Sequence, residues 1–202
     1  MPPKNWTDTF IYSPESIPIG IHPSIIKGFL ASEDQTKIVP CLEEKRVHPN
    51  LHIVKITPDH KTKTGKTHPL ASIHSKKGHE ERGIFAHSAI ATGTILGEYV
   101  GEINMKHPST EQKKYCWMAQ INKVIFHIDA ESVANEMVFV NDYRNIREAP
   151  NCLGKWVTHR GFYHFVYETT QDIDAGDEVL VNYGEIWEIF MEQQKKTPPK
   201  GE

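Results

Sequence analysis

Cysteine is scarce in this chain: Cys41, Cys116 and Cys152 are the three found in 202 residues, and they stand far apart. An odd, scattered set supports neither a disulfide framework nor a CxxC zinc site, and it suits a reducing compartment. Long apolar runs are also missing. None approaches the ~20 residues that span a bilayer, and the opening "MPPKNWTDTF" lacks the apolar core of a signal peptide. The expectation is an intracellular protein, nuclear or cytoplasmic, with no membrane partner. Charge of one sign is lacking too, with a formal net charge of −3 and an isoelectric point near 6.5. There is thus no overall basic field of the kind a dedicated nucleic-acid binder carries, so no direct nucleic-acid binding is expected. Helical spacing is confined to "EIWEIFMEQQKK", where Ile186, Trp187, Phe190 and Met191 cluster on one side.

What is present is a chain with 38% apolar and 24% charged residues, enough to bury the core of one domain. Histidine is plentiful, and seven of the twelve (His48, His52, His60, His68, His74, His79, His87) fall in one polar stretch. Their spacing matches no familiar ligand pattern, so they read as solvated loop histidines and no metal site is expected. Residues 58–78, "PDHKTKTGKTHPLASIHSKKG", read as an exposed loop or linker. Residues 1–70 mix short apolar runs with prolines and form a divergent N-terminal extension. Residues 71–191 form the main domain, and 192–202 a polar tail.

From Glu81 onward the pattern becomes that of short strands. "RGIFAHSAIATGTILGEYVGEI" predicts a pair of strands turning at Thr92-Gly93; "KVIFHIDA" and "EMVFV" predict two more. "KWVTHRGFYHFVYETT" predicts a hairpin turning at Arg160-Gly161, and "DAGDE" a turn leading into the strand "VLVNY". Between them lies the polar, Pro-containing loop "NDYRNIREAPNC", twelve residues that fit neither a strand nor a helix.

Three stretches in order, "RGIFA", "VNDYRNIREAPNC" and "IDAGDEVLVNYG", with "GEYVGE" after the first, together resemble the SET-domain family of protein lysine methyltransferases. The resemblance covers roughly residues 70–191. It implies a mostly β SET (β-clip) fold of short strands, with few short helices and a pseudoknot near the C-terminus that threads the polar loop beneath the end of the domain. It also implies S-adenosylmethionine as cofactor, lined by the backbone of Arg82, Gly83, Ile84 and Phe85 and bound by Asn141. A glycine suits that role because a missing Cβ lets main chain approach a ligand closely. The family's Asn-His pair is Asn141-Asp142 here, about four extra residues precede Pro150-Asn151, and the expected effect is an anion in the cofactor pocket. The cysteines of the family's zinc-bearing C-terminal module are missing.

By the same resemblance Tyr183 directs its hydroxyl at the reacting methyl and amine, and Tyr99 is the aromatic beside the transfer site. Tyr115 lines the substrate groove, and Trp187, backed by Phe190, either covers the adenine, completes the lysine channel or packs on the core. Asp129 and Glu131 either border the peptide or are simply solvated. Val181, where many members carry Phe or Tyr, leaves room for more than one methyl. The implied function is methyl transfer to a lysine ε-amine, with a basic histone tail as the leading substrate and the oligomeric state open. A non-histone protein substrate, or a non-catalytic module that binds a lysine-containing peptide, are the alternatives.

Overall fold

The computed structural model describes residues 1–19, 39–71, 80–105, 115–121 and 124–184. In chain order the elements are β1 (Ile11–Tyr12), β2 (Ile17–Pro18), α1 (Pro40–Glu43), β3 (Leu51–Ile56), β4 (Glu81–Ala86), β5 (Ile95–Glu98) and β6 (Glu102–Asn104). They continue with β7 (Cys116–Ile121), β8 (Val124–Asp129), β9 (Val133–Ala134), a 3₁₀ helix (Glu136–Phe139), β10 (Asn141–Asp142), β11 (Cys152–His159), β12 (Phe162–Thr169) and β13 (Leu180–Val181). The fold is mostly β, as the sequence predicts, and it is divided among small sheets. One runs β2-β6-β8-β7, another β11-β12-β5, and the pairs β1-β9, β3-β4 and β10-β13 complete it.

Local chemistry explains several elements. The β11-β12 hairpin turns through Arg160 (φ +49°) and Gly161 (φ +81°). Two consecutive positive φ values match the right-handed twist of the flanking strands, and the second is one that glycine adopts without strain. In α1, Pro40 opens the helix at a position where its missing N–H is no loss. In β3, Leu51 and Ile53 bury one face against the main core, while Ile56, on the other face, packs with Leu70 and Ala71.

The structure departs from the sequence reading in four places. "EMVFV" is a 3₁₀ helix rather than a strand: the Asn135 side chain accepts the Met137 amide hydrogen at 3.2 Å and caps it. Met137, Val138 and Phe139 are all buried, and an apolar run buried on every side carries no period that separates strand from helix. The strands predicted on either side of Thr92-Gly93 form, but they do not pair with each other. β4 pairs with β3, and β5 with β12, while the Gly93 amide donates to Thr169 O at 2.9 Å. Where described, the stretch predicted as an exposed linker is folded, with Thr62, His68, Leu70 and Ala71 buried. Among its described residues Pro58, Asp59 and the Lys- and Gly-rich tip are exposed, and that composition dominated the sequence pattern. His68, expected in solvent, is 1% exposed. The predicted C-terminal helix lies outside the described residues.

The core runs through Ile84, Leu96, Met137, Val140, Tyr167 and Leu180, each almost fully enclosed. Arg82 ties the N-terminal residues to this core, donating to the carbonyl oxygens of Asn5 at 2.9 Å and Glu80 at 2.7 Å. Its guanidinium lies over the Phe139 ring at 5.8 Å.

Candidate active site

The loop from Asn141 to Cys152 is polar because its ends grip a strand from both sides. β13 pairs in parallel with β10, Asn141 opposite Leu180 and Asp142 opposite Val181. On the other flank Asn151, fully buried, accepts the Leu180 amide hydrogen on Oδ1 at 2.7 Å and donates through Nδ2 to Glu178 O at 2.7 Å. The Cys152 thiol donates to Leu180 O at 3.3 Å. A strand too short to satisfy its own polar groups is thus completed by an amide side chain, as buried backbone requires.

This clamp delivers Tyr183 to the end of an aromatic channel. Tyr99, Tyr115, Trp117, Val140, Tyr167 and Tyr183 line a narrow enclosed cavity together with Val138 and Cys116. The Tyr183 hydroxyl donates to Val140 O at 2.6 Å, and the Tyr99 hydroxyl donates to Tyr115 O at 2.8 Å. Each therefore has its proton committed to a carbonyl and keeps oxygen lone pairs for another donor. Trp117 donates through Nε1 to the Tyr167 hydroxyl at 3.0 Å. Burial holds the Tyr99, Tyr167 and Tyr183 hydroxyls well above the ordinary tyrosine range, and the Asp142 carboxylate adds to the effect at Tyr183. All three stay protonated at neutral pH.

Asp142 is nearly fully buried. One carboxylate oxygen, Oδ2, accepts the Tyr183 amide hydrogen at 2.7 Å and Arg144 Nη1 at 2.8 Å; the other accepts the Arg144 amide at 2.9 Å. The expected pocket anion is thus an internal ion pair that holds Tyr183 in register. Asn141 Nδ2 donates to Arg82 O at 2.9 Å and to Glu178 Oε1 at 2.8 Å, while its Oδ1 has no donor among the described residues. Beside it, a Cβ on Gly83 would stand 2.5 Å from Glu178 Oε1, 2.8 Å from the Phe85 ring and 3.2 Å from Asn141 Nδ2. Only glycine lets those side chains come that close to the backbone.

The remaining expected positions divide. Ile84 is fully buried in the main core, whereas Phe85 packs with Ile56, Leu70 and Ala71. Arg82 offers its carbonyl to Asn141, its side chain being spent on the N-terminal residues. Tyr115 lines the channel, but Val181 does not; Tyr167 and Trp117, which no sequence motif singled out, do. Asp129 Oδ1 accepts the Glu131 amide hydrogen at 2.9 Å, closing a local turn. Trp187 and Phe190 lie outside the described residues. No cluster of three or more metal-ligating side chains occurs among the described residues.

Comparison with known proteins bears on this geometry. The sequence model described as the SET domain matches residues 81–184. The variant-silencing SET domain-containing protein of Plasmodium falciparum (isolate 3D7) is 32% identical over 114 residues, covering 50% of this chain. That alignment covers 4% of the curated relative, so this chain spans a small part of its length. The crystal structure of ATXR5 in complex with mono-methylated histone H3.1 has a similar fold, with a TM-score of 0.55 at 13% identity over 87% of this chain and 81% of that one. A second ATXR5 SET-domain structure, in complex with di-methylated histone H3, gives 0.55 at 14% identity over the same shares.

Proposed function

Because the chain belongs to the SET-domain family, we propose that it transfers a methyl group from S-adenosylmethionine to a protein lysine ε-amine, with a basic histone tail as its substrate. The observation that carries this reading is the channel of four tyrosines and a tryptophan whose hydroxyl protons at Tyr99 and Tyr183 are already committed. A lysine ammonium has a pKa near 10.4, so exposing its lone pair at pH 7 costs about 4 to 5 kcal/mol in water. An aromatic, water-excluding channel disfavours the charged form and lowers that cost. Inside it, the Tyr99 and Tyr183 oxygens can only accept, so they take N–H hydrogens of the neutral amine and leave its lone pair pointing along the channel axis. That alignment is worth several kcal/mol, because displacement needs attack in line. Neither tyrosine serves as a base, since burial keeps both protonated; the ammonium proton leaves to solvent before the amine enters.

The residues fit the cofactor. Asn141 carries the fit: both hydrogens of its Nδ2 are bound inside the protein, and its Oδ1, which takes no donor from the described residues, is an acceptor for an N–H group of a nucleoside-bearing amino acid. Bound S-adenosylmethionine supplies an electrophilic methyl on a sulfonium, and its departure as a neutral thioether calls for no acid. The basic histone tail is chosen because it suits a slightly acidic protein, and because ATXR5, of similar fold, was solved with histone H3.1.

The test is calorimetry of S-adenosylmethionine on the full chain, followed by mass-detected methylation of histone tails and of a non-histone peptide array. Micromolar binding with methylated histone lysine is the expected result. Array hits without histone hits would move the substrate to another protein. Absence of binding with and without peptide would overturn the enzymatic reading.

A further inference from the structure

His68 is a buried ring that the methyl-transfer chemistry leaves unused. It belongs to residues 57–71, outside the span matched to the SET domain, yet it reaches the centre of the site. Its Nδ1 accepts the Leu70 amide hydrogen at 3.2 Å. That nitrogen is therefore unprotonated, and the ring's one proton sits on Nε2, which donates to Glu178 Oε2 at 3.0 Å. The Glu178 side chain is 4% exposed and accepts as a carboxylate. Its other oxygen takes a hydrogen from Asn141 Nδ2 at 2.8 Å, and the second Nδ2 hydrogen goes to Arg82 O at 2.9 Å. With both amide hydrogens committed, the Asn141 side chain has one orientation, and Oδ1 is the atom left to meet a ligand.

We infer that His68 is a positioning residue for cofactor binding, acting through Glu178 to hold the Asn141 amide as an acceptor. This rests on the reading that the site binds S-adenosylmethionine. Without the Nε2 hydrogen, one oxygen of Glu178 is buried with no donor. A carboxylate so placed takes up a proton or turns away. When Glu178 turns away, one Asn141 Nδ2 hydrogen loses its acceptor and the amide is held by Arg82 O alone, so Oδ1 is no longer fixed toward the ligand. The neighbouring space cannot absorb the change, because Gly83 already leaves only enough room for the two side chains as they stand.

The experiment compares the full chain with His68→Phe, which keeps a ring and removes the donor, and His68→Gln, which returns a donor at similar reach. S-adenosylmethionine dissociation constants are measured by calorimetry, the Asn141 side-chain NH2 resonances by nitrogen-15 NMR, and folding by thermal melting. His68→Phe is expected to move the Asn141 resonances and raise the dissociation constant at least tenfold, and His68→Gln to return it to within about threefold. An unmoved Asn141 pair in a folded His68→Phe protein, or a Gln variant as weak as the Phe variant, overturns the role. Should His68→Phe fail to fold, the isosteric Glu178→Gln decides: its single carbonyl can satisfy one of the two donors, so unchanged Asn141 resonances would again overturn it. If the parent chain binds no S-adenosylmethionine, the functional reading fails by itself, and the Asn141 resonances still decide whether His68 orients the amide.

Discussion

At the scale of single residues, the site depends on which atom of each polar group is already taken. Tyr183 donates to Val140 O at 2.6 Å. Tyr183→Phe removes that hydrogen bond and, on the proposed mechanism, the acceptor for the amine. The bond contributes about 1 kcal/mol to stability, so the variant should remain folded while single-turnover methyl transfer falls at least 100-fold. A rate equal to the parent would take Tyr183 out of the mechanism. For Tyr167 the proposed mechanism predicts an effect on product rather than rate. Val181, where the sequence reading left room for more than one methyl, pairs with Asp142 and lies outside the channel lining, whereas Tyr167, its hydroxyl anchored by Trp117, is part of that lining. Tyr167→Phe should shift the mass distribution of a methylated peptide toward higher methylation states; an unchanged distribution would place the limit elsewhere.

At the scale of elements, the smallest strand is the most dependent on others. β13 is two residues long, and its first residue, Leu180, is held by the side chain of Asn151. Asn151→Ala leaves the Leu180 N–H and the Glu178 carbonyl without their partners in a fully buried place. Each such orphan costs about 1–3 kcal/mol, so denaturant unfolding should show a loss of about 2–6 kcal/mol, with cofactor binding weakened in proportion to the unfolded fraction. The segment before β4 has a pH signature. Burial holds the His60 imidazole below its ordinary range, with its ring 5.5 Å from both His68 and Phe85. A base whose folded pKa is lowered binds fewer protons when folded. Its contribution is therefore present above the unfolded value of about 6.5 and is lost as pH falls below it. The melting temperature should drop between pH 7 and pH 5, and His60→Phe should flatten part of that slope.

At the scale of the whole molecule, the N-terminal residues are built into the domain. β3 pairs with all six residues of β4, β1 pairs with β9, and β2 with β6. Lys63 reaches the carboxylates of Asp174 at 3.1 Å and Asp177 at 2.9 Å, which brings residues 58–71 onto the turn before β13. A fragment beginning at residue 71 would leave β4 with an unpaired edge and Ile84 uncovered, and exposed apolar edges invite association. It should give no cooperative melt and elute as aggregate in size-exclusion chromatography; a sharp two-state melt would show that the extension is dispensable.

What the sequence determined by itself was local. The hairpin at Arg160-Gly161 follows from a glycine, free to take positive φ, between two alternating runs, and the strand-rich character follows from such short runs. Tyr99, Asn141 and Tyr183 stand out because each lies inside a contiguous motif. What only the tertiary structure decided were the partnerships across the chain. His68 meets Glu178 across 110 positions and Trp117 meets Tyr167 across 50. No local pattern records either contact, because each arises when distant parts of the chain pack together. Asp142 shows the same limit in reverse. Its charge was legible and its burden was not, because whether an anion faces a ligand or an arginine depends on where Arg144 and the Tyr183 amide are folded. Those positions are set by the clamp on β13, and that clamp exists only once the polar loop has closed around it.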